Sequence, residues 1–139
     1  MRNKQIIFTI ILPILFGALL YMTLAPTSRL FYSWIQIPKP YHFSIVPSWV
    51  FFNLPDGLWG MSLTSTLYLI QGNEITGKNY LLIFSGLIFG VCFEFLQLSK
   101  FINGTFDFLD ILFIMVFSVL AIYINKLFTY RFNSQKILL

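Results

Sequence analysis

The sequence predicts an all-α integral membrane protein: a bundle of four transmembrane helices with a long interfacial loop between the first and the second. Three observations predict it. Of 139 residues, 58% are hydrophobic and only 10% are charged, against about 25% charged in an average soluble domain. Mean hydropathy is +0.80. The apolar residues also gather into four stretches, at about 6–24, 56–70, 80–99 and 107–127, and a spanning helix needs roughly 20 residues. Together these stretches use the whole chain, 1–139, as a single transmembrane domain and leave no room for a soluble one.

The first stretch follows Arg2 and Lys4 and resembles a signal peptide at first sight. Its apolar run, Ile6 to Leu24, is longer than the roughly 7–15 residues of a signal-peptide core, and Ala25 is followed by Pro26, a poor cleavage context. A retained anchor is expected, with Pro13 placed to kink it. From Pro26 to Pro55 five prolines (26, 38, 40, 47 and 55) forbid a long helix, because each removes a donor and restricts the residue before it. The segment is nevertheless rich in Phe, Tyr and Trp, including Trp34, Tyr41 and Trp49. Aromatic residues concentrate at the membrane–water interface, so the loop is expected along the headgroups, with a short helix near Ser48 to Phe52.

The second helix is expected from Asp56 to about Ile70 and carries Ser62, Thr64, Ser65 and Thr66 beside Gly57 and Gly60, a small and polar surface suited to close helix contacts. A polar turn, Gln71 to Asn79, ends it. The third is expected from Tyr80 to about Ser99, with Gly86 and Gly90 four apart in the small-xxx-small pattern that lets membrane helices approach closely. That glycine face offers a docking surface for a second copy or for a partner in a membrane complex, and one turn further it carries Glu94. The fourth runs from about Asp107 to Leu127. Positions 107, 110, 114, 118, 121 and 125 of that helix share one face at three- and four-residue spacing; they are Asp, Asp, Ile, Ser, Ala and Asn.

Nine basic residues give a net charge of +4 but stand singly rather than in a patch, which argues against nucleic acid as a partner. They orient the chain instead. With four spans the two termini share a side, and that side holds Arg2, Lys4, Lys78, Lys126, Arg131 and Lys136 against Arg29, Lys39 and Lys100 on the other. The excess of basic residues faces the cytoplasm, so both termini are expected there, in a bacterial inner membrane. The single cysteine, Cys92, excludes an intrachain disulfide and a Cys-based metal site and is expected to be a small packing residue.

This topology sends four of the five acids, Asp56, Glu94, Asp107 and Asp110, to the outer end of the bundle. A carboxylate inside a membrane span is costly, which makes Glu94 a functional candidate. Glu94 with Gln97 and Asp107 with Asp110 are i, i+3 pairs, each sharing a helix face. The short turn between the third and fourth helices makes them antiparallel neighbours, so Glu94 and Asp110 are expected close together, able to share a proton or bind a cation. Asp56 and Asp107 also suit helix N-caps, and Asp110 suits the positive end of a helix dipole. Glu94 gains nothing from either effect. Ser62, Thr64 and Ser65 have no helical histidine or lysine to activate them and are expected to pack helices. His42 and the Asn103-Gly104-Thr105 acceptor pattern fall on the outer side, where a surface histidine and an accidental match are the plain explanations.

Pro55-Asp56-Gly57-Leu58-Trp59 opening one helix, Glu94-Phe95-Leu96-Gln97, and Gly104-Thr105-Phe106-Asp107-Phe108-Leu109-Asp110 opening the last together resemble the VanZ-like membrane protein family over about residues 54–125. The resemblance implies a small multi-helix bacterial envelope protein, in a family whose founding member is linked to glycopeptide resistance. The chain departs from many relatives at Gly104, near Gly60, and at Ile114 and Phe117. The functional expectation is an outward-facing acidic pocket of Glu94, Gln97, Asp107, Asp110 and Asp56 that binds an amphiphile headgroup or a cation, amid membrane lipids, with no cofactor or resident metal. A membrane enzyme using a carboxylate or metal site on a lipid substrate, and a structural subunit of a larger complex, are the alternatives.

Overall fold

The computed structural model describes residues 2–24, 47–72, 74–102 and 106–137 and is all-helical, with no strand among them. In chain order the elements are α1 (Arg2–Ile6), a π-helical segment (Ile7–Ile11), α2 (Leu12–Leu24), α3 (Ser48–Phe52), α4 (Leu54–Ile70), α5 (Tyr80–Ile83), α6 (Ser85–Leu98) and α7 (Phe108–Ile137). They form four long helical arms: α1 through α2, α4, α5 with α6, and α7.

Pro13 shapes the first arm. It has no N–H to give to the turn before it, and the chain widens there into π turns, with the Leu12 N–H bonding to the Ile7 carbonyl. The carbonyl of Ile10 is met from the next arm by the Ser62 hydroxyl at 3.0 Å. The kink expected at Pro13 thus takes the form of a π segment satisfied by a neighbouring helix, as membrane helices commonly do.

The helix expected from 56 begins at Leu54 instead, because Pro55 fits the first turn, where its missing N–H costs nothing. Asp56 is therefore in the first turn rather than at the N-cap. Gly72, at φ +81°, follows the helix end, a conformation that glycine adopts without penalty. The helix expected over 80–99 is two pieces. Phe84 (φ −89°, ψ 5°) separates α5 from α6, directly before the pair Ser85-Gly86, a common site of helix kinks. The last helix runs ten residues beyond the expected Leu127, to Ile137. Its tail turns polar, but no Gly or Pro interrupts it, and loss of hydropathy does not stop a helix.

Contacts give the topology. Asn53, Thr64 and Ser65 meet Asp107 and Asp110, Ser118 and Asn125 in that order, so α4 and α7 run side by side in the same direction. The first arm runs opposite to α4, with Ile10 beside Ser62 and Gly17 beside Leu58 and Trp59. The α6 helix runs opposite to α4 and α7, since Gly86 faces Leu63, Gly90 faces Ile114 and Glu94 meets Asp107. Among the described residues the α4–α7 pair is the most extensive contact.

Polarity is distributed inside out. Gln5, Thr9, Asn53, Ser62, Thr64, Ser65, Glu94, Ser118 and Asn125 are buried, whereas Phe8, Leu15, Phe89, Val119 and Tyr123 are exposed. A buried apolar cluster of Tyr68, Ile83 and Ile122, flanked by Ile75 and Phe84, closes the end opposite Glu94. Two helical stretches, Asn3–Met22 and Phe108–Tyr130, are long and apolar enough to cross a membrane; Ser85–Leu98 is apolar but shorter.

Candidate functional site

The α4 and α7 helices both begin at the same end of the molecule, and α6 finishes there. Asp107 immediately precedes α7 and caps it: its Oδ1 accepts the Leu109 N–H at 2.8 Å, one of the first-turn donors that a helix cannot satisfy internally. Its other oxygen, Oδ2, accepts from Asn53 Nδ2 at 2.9 Å. The same amide nitrogen donates to Asp110 Oδ1 at 2.7 Å. Glu94 rises from α6 on the other side and accepts the Asp107 backbone N–H through Oε2 at 3.0 Å. Both aspartates lie within electrostatic reach of Glu94. Two carboxylates thus share one asparagine amide, and a third, Glu94, joins them through the Asp107 backbone.

Glu94, Asp107 and Asp110 come together at the end of the bundle to which the helix order sends them, and Asp107 both caps its helix and belongs to the cluster. Gln97 is half-buried and its side chain makes no hydrogen bond among the described residues; its backbone carbonyl accepts the Lys100 N–H at 3.0 Å. Asp56 is half-buried in the first turn of α4, and Asn53, one turn earlier, reaches Asp107 and Asp110. Sequence reasoning passed over Asn53. The chain offers only an asparagine flanked by apolar residues just before Pro55, which marks at most a helix cap. In the structure its side chain makes no capping bond and goes to the carboxylates instead.

Two acceptors in this cluster stand out. Asn53 is 2% exposed and Glu94 is 7% exposed. Neither Asn53 Oδ1 nor Glu94 Oε1 has a hydrogen-bond donor among the described residues, although buried polar atoms are generally partnered. Trp49 of α3, one turn before Asn53, lies against Phe113, one turn after Asp110, with ring centroids 5.8 Å apart, and Phe113 stacks on Phe117 at 6.1 Å. No group of three or more His, Cys, Asp or Glu among the described residues is arranged to hold a metal ion.

The opposite half of the bundle holds a second polar system. Asn125 Oδ1 accepts from Gln5 Nε2 at 2.8 Å and from Thr9 Oγ1 at 3.4 Å, and its Nδ2 donates to Ser65 Oγ at 2.9 Å. Thr64 Oγ1 donates to Ser118 Oγ at 3.1 Å. The hydroxyls of α4 therefore join helices. This system is uncharged and tied to three arms, the pattern of structural glue.

Gly86 and Gly90 are occupied within the chain: a Cβ at Gly86 would fall 2.7 Å from Leu63 Cδ2, and one at Gly90 2.8 Å from Ile114 Cδ1. Cys92, expected to pack, is exposed, because the buried face of α6 is the one carrying Gly86 and Glu94. His42 and Asn103-Gly104-Thr105 lie outside the described residues. No protein-family model, curated protein or solved structure matches the chain.

Proposed function

We propose that the protein is a VanZ-like bacterial envelope protein whose four helical arms cross the inner membrane with both termini cytoplasmic. Its outward-facing acidic pocket binds the cationic headgroup of an amphiphile. The observation that carries this reading is a cluster of three carboxylates in which Asp107 and Asp110 share a single neutral donor, Asn53, and Glu94 holds only the Asp107 backbone N–H, with two buried acceptor oxygens left over. An ammonium group brings three N–H donors and a positive charge, which is what such a site lacks. A phosphate or carboxylate headgroup would meet like charge there. Trp49, one turn before Asn53, and Phe113, one turn after Asp110, supply aromatic faces at this end of the bundle, suited both to a cation and to the start of an alkyl chain.

The membrane setting is supported by the apolar outer surface, the interior hydrogen bonding between arms and the two helices of spanning length. The VanZ-like motif residues Glu94, Asp107 and Asp110 meet in one corner, which favours that family and a link to lipid or cell-wall precursors. Dodecylammonium and dodecyl phosphate, equal in chain length and opposite in charge, test the pocket. In detergent-purified protein the amine should raise the melting temperature and the phosphate should not, and Glu94→Gln should lose the response while still eluting as a single species. An equal shift in Glu94→Gln, or a larger response to the phosphate, refutes the proposal.

A further inference from the structure

We propose that Asn53 is the specificity-determining residue of this pocket: its amide occupies the position a divalent metal would take and so reserves the site for a monovalent, hydrogen-bonding cation. The identity of the natural ligand rests on the ammonium reading above; the exclusion of metal does not.

The argument starts from where Asn53 stands. It joins α3 to α4 at an N-cap position, where asparagine normally accepts a first-turn N–H, yet its side chain makes no such bond. The amide nitrogen is instead 2.7 Å from Asp110 Oδ1 and 2.9 Å from Asp107 Oδ2. A calcium ion sits about 2.3–2.6 Å from its carboxylate oxygens. The nitrogen therefore fills, to within a few tenths of an ångström, the point from which an ion would bridge the two aspartates. The orientation of the amide is not ambiguous, since the opposite one would set its oxygen against two carboxylates. At 2% exposure the side chain is enclosed, so a metal must displace it to enter.

An amide is a weaker partner than a cation because it carries only a partial charge, and it differs from one in a useful way. With both N–H groups given to the aspartates, no donor from Asn53 is left for Glu94, whose Oε1 has none among the described residues. The aspartate oxygens facing Asn53 are occupied, and the glutamate keeps one oxygen, Oε1, without a donor among the described residues. A single monovalent donor group arriving at Glu94 completes the cluster, whereas a divalent ion, which needs about six to eight oxygens, finds its two best carboxylates already engaged.

The test converts the site. In Asn53→Asp the amide donor is replaced by a third carboxylate facing Asp107 and Asp110, a set of oxygens suited to calcium. Wild type, Asn53→Asp and Asn53→Ala are purified in one detergent and titrated with CaCl2 by calorimetry at constant ionic strength, with melting temperatures taken in CaCl2 and in EDTA. Asn53→Asp should gain saturable calcium binding at least tenfold tighter than wild type, with a calcium-dependent rise in melting temperature. A residue that merely holds the helices together would lose stability on substitution and gain no metal affinity. If Asn53→Asp does not fold in either buffer, Asn53→Ala decides, since removing the amide alone should also tighten calcium binding. Calcium binding in wild type equal to that of the variants, or folded variants with no gain, overturns the proposal. A gain of calcium in Asn53→Asp alongside a wild type indifferent to dodecylammonium would sustain the role of Asn53 and refute the ammonium pocket; the reverse pair of results would do the opposite.

Discussion

Asn125 is the residue whose loss should cost the bundle most, and the cost can be worked from its contacts. It is fully buried on α7 and joins the first arm through Gln5 Nε2 at 2.8 Å and α4 through Ser65 Oγ at 2.9 Å, with Thr9 Oγ1 further away at 3.4 Å. Hydrogen bonds between membrane helices average about 0.6 kcal/mol and reach about 1.7. The two short ones lost in Asn125→Ala are thus worth about 1–3 kcal/mol. Gln5, 6% exposed, would keep only its long 3.5 Å bond to the backbone carbonyl of residue 125, at about 1–2 kcal/mol more. A total of about 2–5 kcal/mol is expected. Unfolding by SDS in mixed micelles, followed by tryptophan fluorescence, measures it. The double variant Gln5→Leu with Asn125→Leu should recover part of the loss, because removing both partners leaves no orphan, and the cycle should show a coupling of about 1–2 kcal/mol. A loss under about 0.5 kcal/mol, or additivity to within about 0.5 kcal/mol, would refute the argument that this network holds the three arms together.

Other outcomes follow from single residues. Gly86→Ala should destabilise by about 1–2 kcal/mol in the same assay, because the new methyl would fall 3.0 Å from Leu63 Cγ as well as 2.7 Å from its Cδ2. Gly90→Ala meets only the flexible tip of Ile114 and should be neutral or slightly stabilising, so equal costs at the two positions would contradict the packing. Lys100 ends α6 at φ +60°, with the Phe101 N–H bonded back to the Leu96 carbonyl at 3.0 Å. Lys100→Gly should therefore raise stability by up to about 1 kcal/mol, and a clear loss would mean the lysine side chain has a role at this corner. Cys92, the single cysteine and an exposed one, accepts a nitroxide label directly. In bilayer nanodiscs, power-saturation EPR should find the label open to oxygen and shielded from a water-soluble nickel complex. The reverse would place α6 in water and sink the membrane reading of that helix.

Helical class, the approximate extent of each arm and the short α3 helix were all legible in the chain, because apolar run length, proline placement and loss of hydropathy are local signals. The acids could be sent to one end for the same reason, by counting helices. Glu94 and Asp110 were placed close together from the short turn alone, whereas the direct hydrogen bond of Glu94 goes to the Asp107 backbone. Local signals misled at helix ends: hydropathy falls after Leu127 while the backbone continues to Ile137, and Ser85-Gly86 breaks a run that composition reads as continuous.

By itself the sequence determined that the protein is helical and apolar outside, and which residues were candidates for chemistry. Only the tertiary structure decided what those residues do. Cys92 and Glu94 are two positions apart in one apolar helix, yet one is exposed and the other buried, since a helix turns by about 200° over that interval and a single face can be covered. Asn53 is the plainest case. Nothing near it in the chain marks it as more than a cap; its role depends on Asp107 and Asp110, 54 and 57 residues away. Such pairing is a property of how α4 and α7 begin at the same level, and only the packing of whole helices sets that level.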